Sequence, residues 1–395
     1  MSSVTDLSPI YYICHSYTAF QKDQIENIPL QKSEIHTFVR TNPLFAAASR
    51  ISPGRFRNIA PDAKINRVSL PRNCHVYQTP VTYLPLDFDY QRMGERHFRA
   101  VGKVIRDEKI APPSLMHAHF IWSSGYAGMR LKEKYGVPFI VTGHGYDVYD
   151  IPFRSAAWKK RICQVLNAAD HIITVSRTNL ECLQKLGVET PVSVIPNGFN
   201  ARQFHPTSRE ESRNTLGLPA DRKIILTVGN CNRDKGQWIL IEAMMEIKRM
   251  HPDVLCVIVG SGELYPALQK KIADLGLQGS VIMPGAKPHA EIPLWMNACD
   301  IFVLPSLNES FGVVNIEALA CGKPVVASNA GGIPEILIDD AYGLLCEPEN
   351  PADLSKKIIL ALNTEWDSQA IHEYAQHFTL DTVTKEILAV YGKYL

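Results

Sequence analysis

Short apolar runs alternate with segments of helical spacing along most of this 395-residue sequence. The runs are continuously apolar and rich in β-branched residues, which is typical of strands buried on both faces. Such strands, separated by helices, predict an α/β fold with parallel sheets covered by helices. In the second half the predicted strands are 223–230, 254–262, 281–286, 300–306, 323–328 and 342–348, and the predicted helices are 235–250, 263–276, 289–299, 311–321, 333–338 and 351–363.

The first half repeats the pattern, although residues 16–86 are less regular. Its predicted strands are 9–15, 114–120, 138–145, 170–176 and 192–198. A polar stretch containing Pro and Gly, 199–222, separates the halves and predicts two Rossmann-like domains, 1–205 and 206–377. Ligands of open parallel sheets bind beyond the carboxyl ends of the strands. Two such sheets facing each other are therefore expected to form a deep ligand cleft.

The bulk composition narrows the possible functions. A net charge of +1 argues against a nucleic-acid binder held by bulk charge. Nine cysteines, none in a C-x-x-C pair, indicate buried thiols in a reducing compartment rather than disulfides or zinc. No apolar run reaches about 18 residues, and the N-terminus lacks the pattern of a secretory signal. A cytoplasmic protein is therefore predicted.

Two glutamates bracket an apolar segment that follows the predicted strand 300–306. Ser310 is the expected N-cap of a helix over 311–321, which would turn the backbone N–H groups of Phe311 and the next two residues toward a ligand. A helix N-terminus favours an anion such as phosphate, whereas the carboxylates of Glu309 and Glu317 suit hydroxyl groups. Phosphate between two polyols is the chemistry of a nucleotide sugar. The alternative is that Glu309 only assists the cap and Glu317 lies on a solvated face.

The surrounding residues, "SFGVVNIEALACGKPVVASNAGGIPEI", resemble the family 4 glycosyltransferases, which are retaining enzymes of GT-B architecture. Both glutamates, Gly312 and the glycine pair near 331 fall in register with the family pattern. Further resemblance lies in "TVGNCNRDKGQWILIEA", "TGHGYDV", "IPNGFN" and "HAHFIWSSGYAGMRLKEKYGVPFI", so that it covers about 114–348. The C-terminal stretch, about 378–395, looks like the family's last helix, which packs back on the first domain.

The resemblance implies transfer of a sugar from a UDP- or GDP-linked donor, with no metal ion and no cofactor besides the nucleotide sugar. It makes Lys235 the phosphate-binding lysine and Glu317 the partner of the ribose hydroxyls. Glu309 and His144 would contact the transferred sugar, His144 from the opposite domain. The donor-binding residues implied are Arg233, Lys235, Glu309, Phe311, Gly312, Val313, Val314 and Glu317. Many members have an arginine where Asn230 stands, and Arg233 is the hypothetical replacement.

The acceptor is not specified by these motifs, and a glycan or a lipid-linked glycan is expected from the family. Residues 40–72 hold seven basic residues and one acidic residue, together with several large apolar ones. This segment is compatible with peripheral contact at the inner membrane face. An ordinary mixed, solvated surface is the alternative.

Other functions stay open at this point. A GT-B epimerase, a phosphorylase, or a catalytically idle subunit that binds a nucleotide sugar would share the fold. Asp147, beside His144, fits loop capping as well as ligand contact. His117 and His119 share one face of a strand, but no third ligand is evident nearby, so no metal site is expected. The stretch "GSGELY" lacks the third glycine of a dinucleotide fingerprint and indicates a tight turn rather than an NAD site.

Overall fold

The computed structural model describes residues 9–28, 33–45, 47, 64–68 and 70–395. The chain divides into two compact units. The first unit comprises residues 1–196 and 383–395, and the second comprises residues 197–382. The boundaries predicted from the sequence were 205/206 and 377/378. Residues near 199 stay with the second unit because Phe199 pairs with Thr379 in an isolated parallel bridge.

The first unit is built on a seven-stranded parallel sheet with the order β3-β2-β1-β4-β5-β6-β7. Its strands are β1 Ile10–Cys14, β2 Ile35–Thr41, β3 Cys74–Pro80, β4 Leu115–His119, β5 Phe139–Gly143, β6 His171–Thr174 and β7 Val192–Val194. Its α-helices are α1 Ala19–Glu26, α2 Asp87–Asp107, α3 Tyr126–Tyr135, α4 Tyr146–Tyr149, α5 Ala156–Ala168 and α6 Arg177–Lys185. Separate apolar clusters line the two faces of the sheet, as expected for a sheet covered on both sides.

The second unit holds a six-stranded parallel sheet with the order β10-β9-β8-β11-β12-β13. Its strands are β8 Ile224–Val228, β9 Leu255–Val259, β10 Val281–Gly285, β11 Ile301–Leu304, β12 Val325–Ser328 and β13 Gly343–Cys346. Its α-helices are α7 Arg209–Leu216, α8 Gln237–Met250, α9 Tyr265–Asp274, α10 Ile292–Ala298, α11 Val313–Ala320, α12 Pro351–Asn363 and α13 Ser368–Ala375. In this order β8 and β11 are neighbours, so the loops that follow them lie side by side at one edge of the sheet.

The predicted α/β class with parallel sheets is confirmed. Two strands were missed, β2 and β3, because their sequences "IHTFVRT" and "CHVYQTP" mix polar and apolar residues. All seven residues of β2 are buried, so its polar side chains lie inside the unit instead of facing solvent. The helix predicted at 333–338 is only a short 3-10 turn, Ile333–Glu335.

The last helix, α14 (Leu380–Tyr391), begins in the second unit and joins the first. Its apolar side chains Val383, Ile387 and Val390 belong to the same buried cluster as β1 residues such as Tyr12. The Tyr391 hydroxyl lies 2.7 Å from Nδ1 of His117 and 2.5 Å from the Tyr12 hydroxyl. Burial and hydrogen bonding therefore tie the end of the chain to the first sheet.

Most of the segment for which membrane contact was predicted, 40–72, lies outside the described residues, including Arg50, Arg55, Arg57, Ile51 and Phe56. Within the described part of the chain, no helix is both long and apolar enough to span a bilayer.

Candidate active site

The loop after β8 carries Lys235 and is shaped by close backbone contacts. Asn232 accepts a hydrogen bond from the Lys235 N–H at 3.1 Å and thereby caps a short 3-10 turn. Gly236 follows with φ 64°, and a Cβ on it would lie 1.9 Å from the Pro305 carbonyl oxygen. Only glycine fits here. Because the backbone of Gly236 is left-handed, α8 begins after it, at Gln237, rather than at the predicted residue 235. The turn leaves the Lys235 side chain directed at the neighbouring loop.

The glycines of "GSGELY" pack against the same loop. A Cβ on Gly260 would lie 1.9 Å from the Gly229 carbonyl oxygen, and one on Gly262 would lie 2.4 Å from that of Cys231. The Cys231 N–H also donates to the Ser261 carbonyl at 2.9 Å. These glycines therefore support the Lys235 loop by allowing two backbones to approach.

The Glu309 carboxylate accepts a hydrogen bond from the Lys235 ammonium and forms an ion pair with it. Leu307 N–H donates to the Asp234 carbonyl at 2.7 Å, so backbone and side-chain contacts both join the two loops. The carbonyl oxygen of Glu309 accepts from Gly332 N–H at 3.0 Å, and a Cβ on Gly331 would approach that oxygen to 1.8 Å. Glu309 is thus positioned by its backbone as well as by Lys235.

The predicted start of the next helix was wrong. The helix α11 begins at Val313, and its N-cap is Gly312 with φ 91°, not Ser310. Phe311 precedes the helix and buries its ring, which lies 5.9 Å from that of Phe378. Because the first N–H groups of an α-helix have no acceptor inside it, those of Val313 and Val314 remain for a ligand. The anion site implied by the sequence therefore shifts toward the C-terminus and loses the Phe311 N–H as a helical donor.

Glu317 lies in the second turn of α11 and is only 4% exposed, so it is not on a solvated face. Its Oε1 accepts a hydrogen bond from His289 Nε2 at 2.8 Å. His289 was missed from the sequence, where "KPHAEI" gives no spacing signal that would link it to residue 317. A buried carboxylate held by one donor is suited to accept further hydrogen bonds from hydroxyl groups.

Arg233 and Asn230 are both exposed on the Lys235 loop. The Asn230 main-chain carbonyl accepts from the Gln237 side chain at 3.1 Å. The Asn230 residue itself is exposed. Within the described residues Arg233 forms no ion pair, so its proposed substitution for the missing arginine stays a prediction.

In the first unit, His144 follows β5 and is largely buried, with Nε2 lying 2.9 Å from Nδ1 of His119. Burial lowers the pKa of His144 well below its ordinary value, and the neighbouring His119 adds to the effect. His117 uses both ring nitrogens, toward Tyr391 and toward the Thr142 hydroxyl at 2.7 Å. His119 and His144 are therefore joined by a hydrogen bond, His117 stacks on His119 at 4.6 Å between centroids, and His144 is the member of this neutral group that lies at the loop.

Asp147 shapes the His144 loop. Its Oδ1 accepts from the N–H groups of His144 and Gly145 at 3.1 and 2.8 Å, and its Oδ2 accepts from Ile121 at 2.8 Å. The residue is fully buried, and burial raises its pKa to about 6 against the opposing effect of these donors. Of the two roles left open for Asp147, the structure supports loop capping.

The loops after β8 and β11 thus bring a lysine, two carboxylates and a helix N-terminus together at one edge of a parallel sheet, where a phosphate-and-polyol site was predicted. The family model described as glycosyl transferases group 1 matches residues 208–378, and that described as glycosyltransferase family 4 matches residues 51–203. A glycosyltransferase of Methanocaldococcus jannaschii is 31% identical over 71% of this chain and 73% of that protein. The chain belongs to the group 1 glycosyltransferases.

Another relative is similar in sequence over most of the chain, and two solved structures have the same fold. The D-inositol 3-phosphate glycosyltransferase of Corynebacterium kroppenstedtii is 31% identical over 78% of this chain and 70% of that protein. Sucrose-phosphate synthase from Thermosynechococcus elongatus superposes with a TM-score of 0.76 at 21% identity, covering 98% of both chains. Anabaena Alr3699/HepE, solved in complex with UDP, gives a TM-score of 0.74 at 21% identity, over 98% of this chain and 100% of that chain. The GT-B fold is thereby confirmed.

Proposed function

We propose that this chain is a retaining, metal-independent glycosyltransferase that moves a sugar from a UDP- or GDP-linked donor to a hydroxyl of a glycan or lipid-linked acceptor. The observation that carries the proposal is the contact of Lys235 with Glu309 beside the N-terminus of α11. It sets a cation and free N–H groups next to a carboxylate, as a diphosphate attached to a sugar requires. Structures of Anabaena Alr3699/HepE with UDP-glucose support the choice of donor class.

The proposed roles follow from the chemistry of each group. Lys235 and the N–H groups of Val313 and Val314 stabilise the negative charge that develops on the leaving diphosphate. Glu317 accepts hydrogen bonds from the ribose hydroxyls, and Glu309 contacts the transferred sugar. His144 is proposed to contact the sugar as well. Its neutral state suits hydrogen bonding to a hydroxyl.

The first experiment measures the thermal stability of the purified chain with UDP, GDP, ADP and their common sugar conjugates. A ligand specific to the folded state and present at 100 times its dissociation constant adds about 2.7 kcal/mol. Lys235→Ala and Glu317→Ala are expected to lose this shift while keeping the ligand-free midpoint within a few degrees. Lys270→Ala, on the exposed face of α9, is the matched control and should keep the shift. Normal nucleotide affinity in both site variants would refute the assignment.

Two alternatives share the donor site and are separated by product analysis. An epimerase converts the donor without an acceptor, whereas a transferase needs one. An idle binding subunit shows the nucleotide shift with neither hydrolysis nor transfer. Conversion of the donor in the absence of acceptor, or binding without any turnover, would replace the proposed function by the corresponding alternative.

A further inference from the structure

A second group of basic side chains lies in the first unit, at the carboxyl ends of β1 and β2. Arg40 is the penultimate residue of β2, and His15 directly follows β1, its neighbour in the sheet. The Lys64 backbone is held at this edge because its carbonyl accepts from Tyr17 N–H at 2.7 Å, two residues after His15. We propose that Arg40 and Lys64, assisted by His15, bind a phosphate group carried by the acceptor. That the phosphate belongs to the acceptor rests on the proposed transferase function, whereas the anion site does not.

Arg40 is a buried cation with incomplete partners. It is 5% exposed, and its Nη1 donates to the Ser123 hydroxyl at 2.9 Å and contacts the Met93 sulfur at 3.1 Å. Its Nε is buried without an acceptor. Within the described residues, Arg40 forms an ion pair with no carboxylate. A buried charge that lacks a counter-ion is costly, and a bound anion would remove that cost.

Lys64 and His15 extend the positive site. The His15 ring stacks on Phe120 at 4.5 Å between centroids, and its Nε2 is buried without a partner. Burial lowers the pKa of Lys64 to about 8, and the charge of Arg40 lowers it further in the same direction. The pKa of His15 is lowered by burial and then by Arg40 and Lys64. Arg40 and Lys64 thus lie within reach of each other's positive charge, and at neutral pH Lys64, with its pKa of about 8, still carries its proton.

The types of donor present favour phosphate over a smaller or singly charged anion. A guanidinium offers a planar fork of donors, and an ammonium adds a compact charge, which together match several oxygens of a phosphate ester. His15 donates from Nε2 in the ring form that carries a proton on that nitrogen. A soluble phosphate ester and a phospholipid headgroup share this chemistry.

The test distinguishes this site from the donor site by combining a substitution of Lys235, in the donor site, with one of Lys64, in the proposed site. Calorimetric titration with inorganic phosphate at constant ionic strength is carried out on Lys235→Ala, in which the donor phosphate site is weakened. Adding Lys64→Met is expected to lower the phosphate affinity about tenfold or more, as for loss of a charged hydrogen bond. Adding Lys103→Met, an exposed lysine of α2, should leave it unchanged. Arg40→Lys, which keeps the charge and loses the fork, should give an intermediate loss.

A stability measurement distinguishes phosphate binding by Lys64 from a purely structural role of this residue. Lys64→Met is expected to raise the melting temperature in phosphate-free buffer, because it removes a like charge, and to lose the stabilisation by phosphate. Equal phosphate affinity in the Lys64→Met and Lys103→Met proteins would overturn the site, as would a lower melting temperature that phosphate still raises. Nucleotide binding by Lys64→Met alone should equal that of the unmodified chain. If the unmodified chain binds no nucleotide while Lys64 still governs phosphate binding, the transferase proposal fails and the anion site stands.

Two probes distinguish the source of the phosphate. Glycerol 3-phosphate that displaces inorganic phosphate, with no binding to vesicles, supports a soluble phosphate ester. Lys64-dependent sedimentation with phosphatidylcholine vesicles containing phosphatidic acid supports a lipid headgroup. Failure of both, together with absence of phosphate binding in calorimetry, overturns the proposal.

Discussion

The Lys235 ammonium and the Glu309 carboxylate form an ion pair between residues 74 positions apart. The pair exists because β8 and β11 are adjacent in the sheet, which brings together the loops that follow them. Both side chains are partly exposed, at 25% and 14%, so the pair is accessible to a ligand. A donor diphosphate that binds Lys235 must therefore compete with Glu309 for the ammonium.

This competition makes Glu309→Gln informative. Removing the charge frees Lys235 and ends repulsion of the diphosphate, so free UDP or GDP should bind about two- to fivefold tighter, as expected for a partly exposed pair. Sugar transfer should fall at least about 100-fold, because Glu309 is proposed to contact the sugar. Calorimetry and a radiolabelled transfer assay measure the two effects. Glu246→Gln, an exposed residue of α8, should change neither, and weaker nucleotide binding by Glu309→Gln would contradict the competition.

The close approach of Gly331 to Glu309 predicts a loss of stability. An alanine Cβ at 331 would lie 1.8 Å from the Glu309 carbonyl oxygen at a φ of 55°. Gly276 has a similar φ of 63° with nothing within 4 Å of a Cβ, so Gly276→Ala reports the backbone conformation alone. We expect Gly276→Ala to cost about 1 kcal/mol and Gly331→Ala about 2–3 kcal/mol in unfolding free energy. Equal losses in urea titrations would show that the contact with Glu309 is easily relieved.

The raised pKa of Asp147 predicts a stability difference that depends on pH. Its pKa rises from an ordinary 3.8 to about 6 in the folded chain, so the contribution of this group is fully present below about 3.8 and is lost as the pH rises through 6. Asp147→Asn removes the titration but points an amide at one of the N–H donors, which costs about 1–3 kcal/mol. The variant should therefore be clearly less stable than the unmodified chain at pH 4, and the gap should narrow by pH 7.

Urea unfolding at the two pH values measures the gap, with Asp150→Asn as the comparison. Asp150 is exposed on the same loop and pairs with Arg154, so its replacement should cost little. A gap for Asp147→Asn that is the same at both pH values would contradict the effect of burial on this carboxyl.

The attachment of α14 to the first unit predicts unequal effects for two tyrosines. Tyr391 is 1% exposed and bonds to Tyr12 and His117, so Tyr391→Phe leaves buried polar groups unsatisfied at a cost of about 1–3 kcal/mol. The Tyr394 hydroxyl donates to the Asp170 carbonyl at 2.8 Å and lies 3.1 Å from His171 Nδ1, but the residue is only half-buried, so water can replace the hydroxyl in Tyr394→Phe. Its loss should stay below about 1 kcal/mol by chemical denaturation. A larger loss for Tyr394→Phe than for Tyr391→Phe would contradict the buried network.

Local sequence predicted the strands that are apolar on both faces, because a continuous apolar run of this length is typical of a buried strand. It missed β2 and β3, whose polar residues interrupt any apolar run, although the tertiary structure buries every residue of β2 and gives some of them partners, as Ser123 does for Arg40. It placed the α11 cap at Ser310 because Ser is a preferred N-cap, whereas Gly312 adopts a left-handed conformation that few other residues tolerate.

The sequence by itself determined the fold class, because apolar periodicity is a local property, and its resemblance to a known family indicated Lys235, Glu309 and Glu317 as candidate site residues. Only the tertiary structure decided that Lys235 pairs with Glu309, that Glu317 pairs with His289, and that Asp147 caps the His144 loop. The first two contacts depend on strand order, which brings together loops that are distant in the sequence, and the third depends on the burial of a short loop. Local propensities do not specify which loops meet in the folded chain. The burial of each charged group follows from those tertiary contacts.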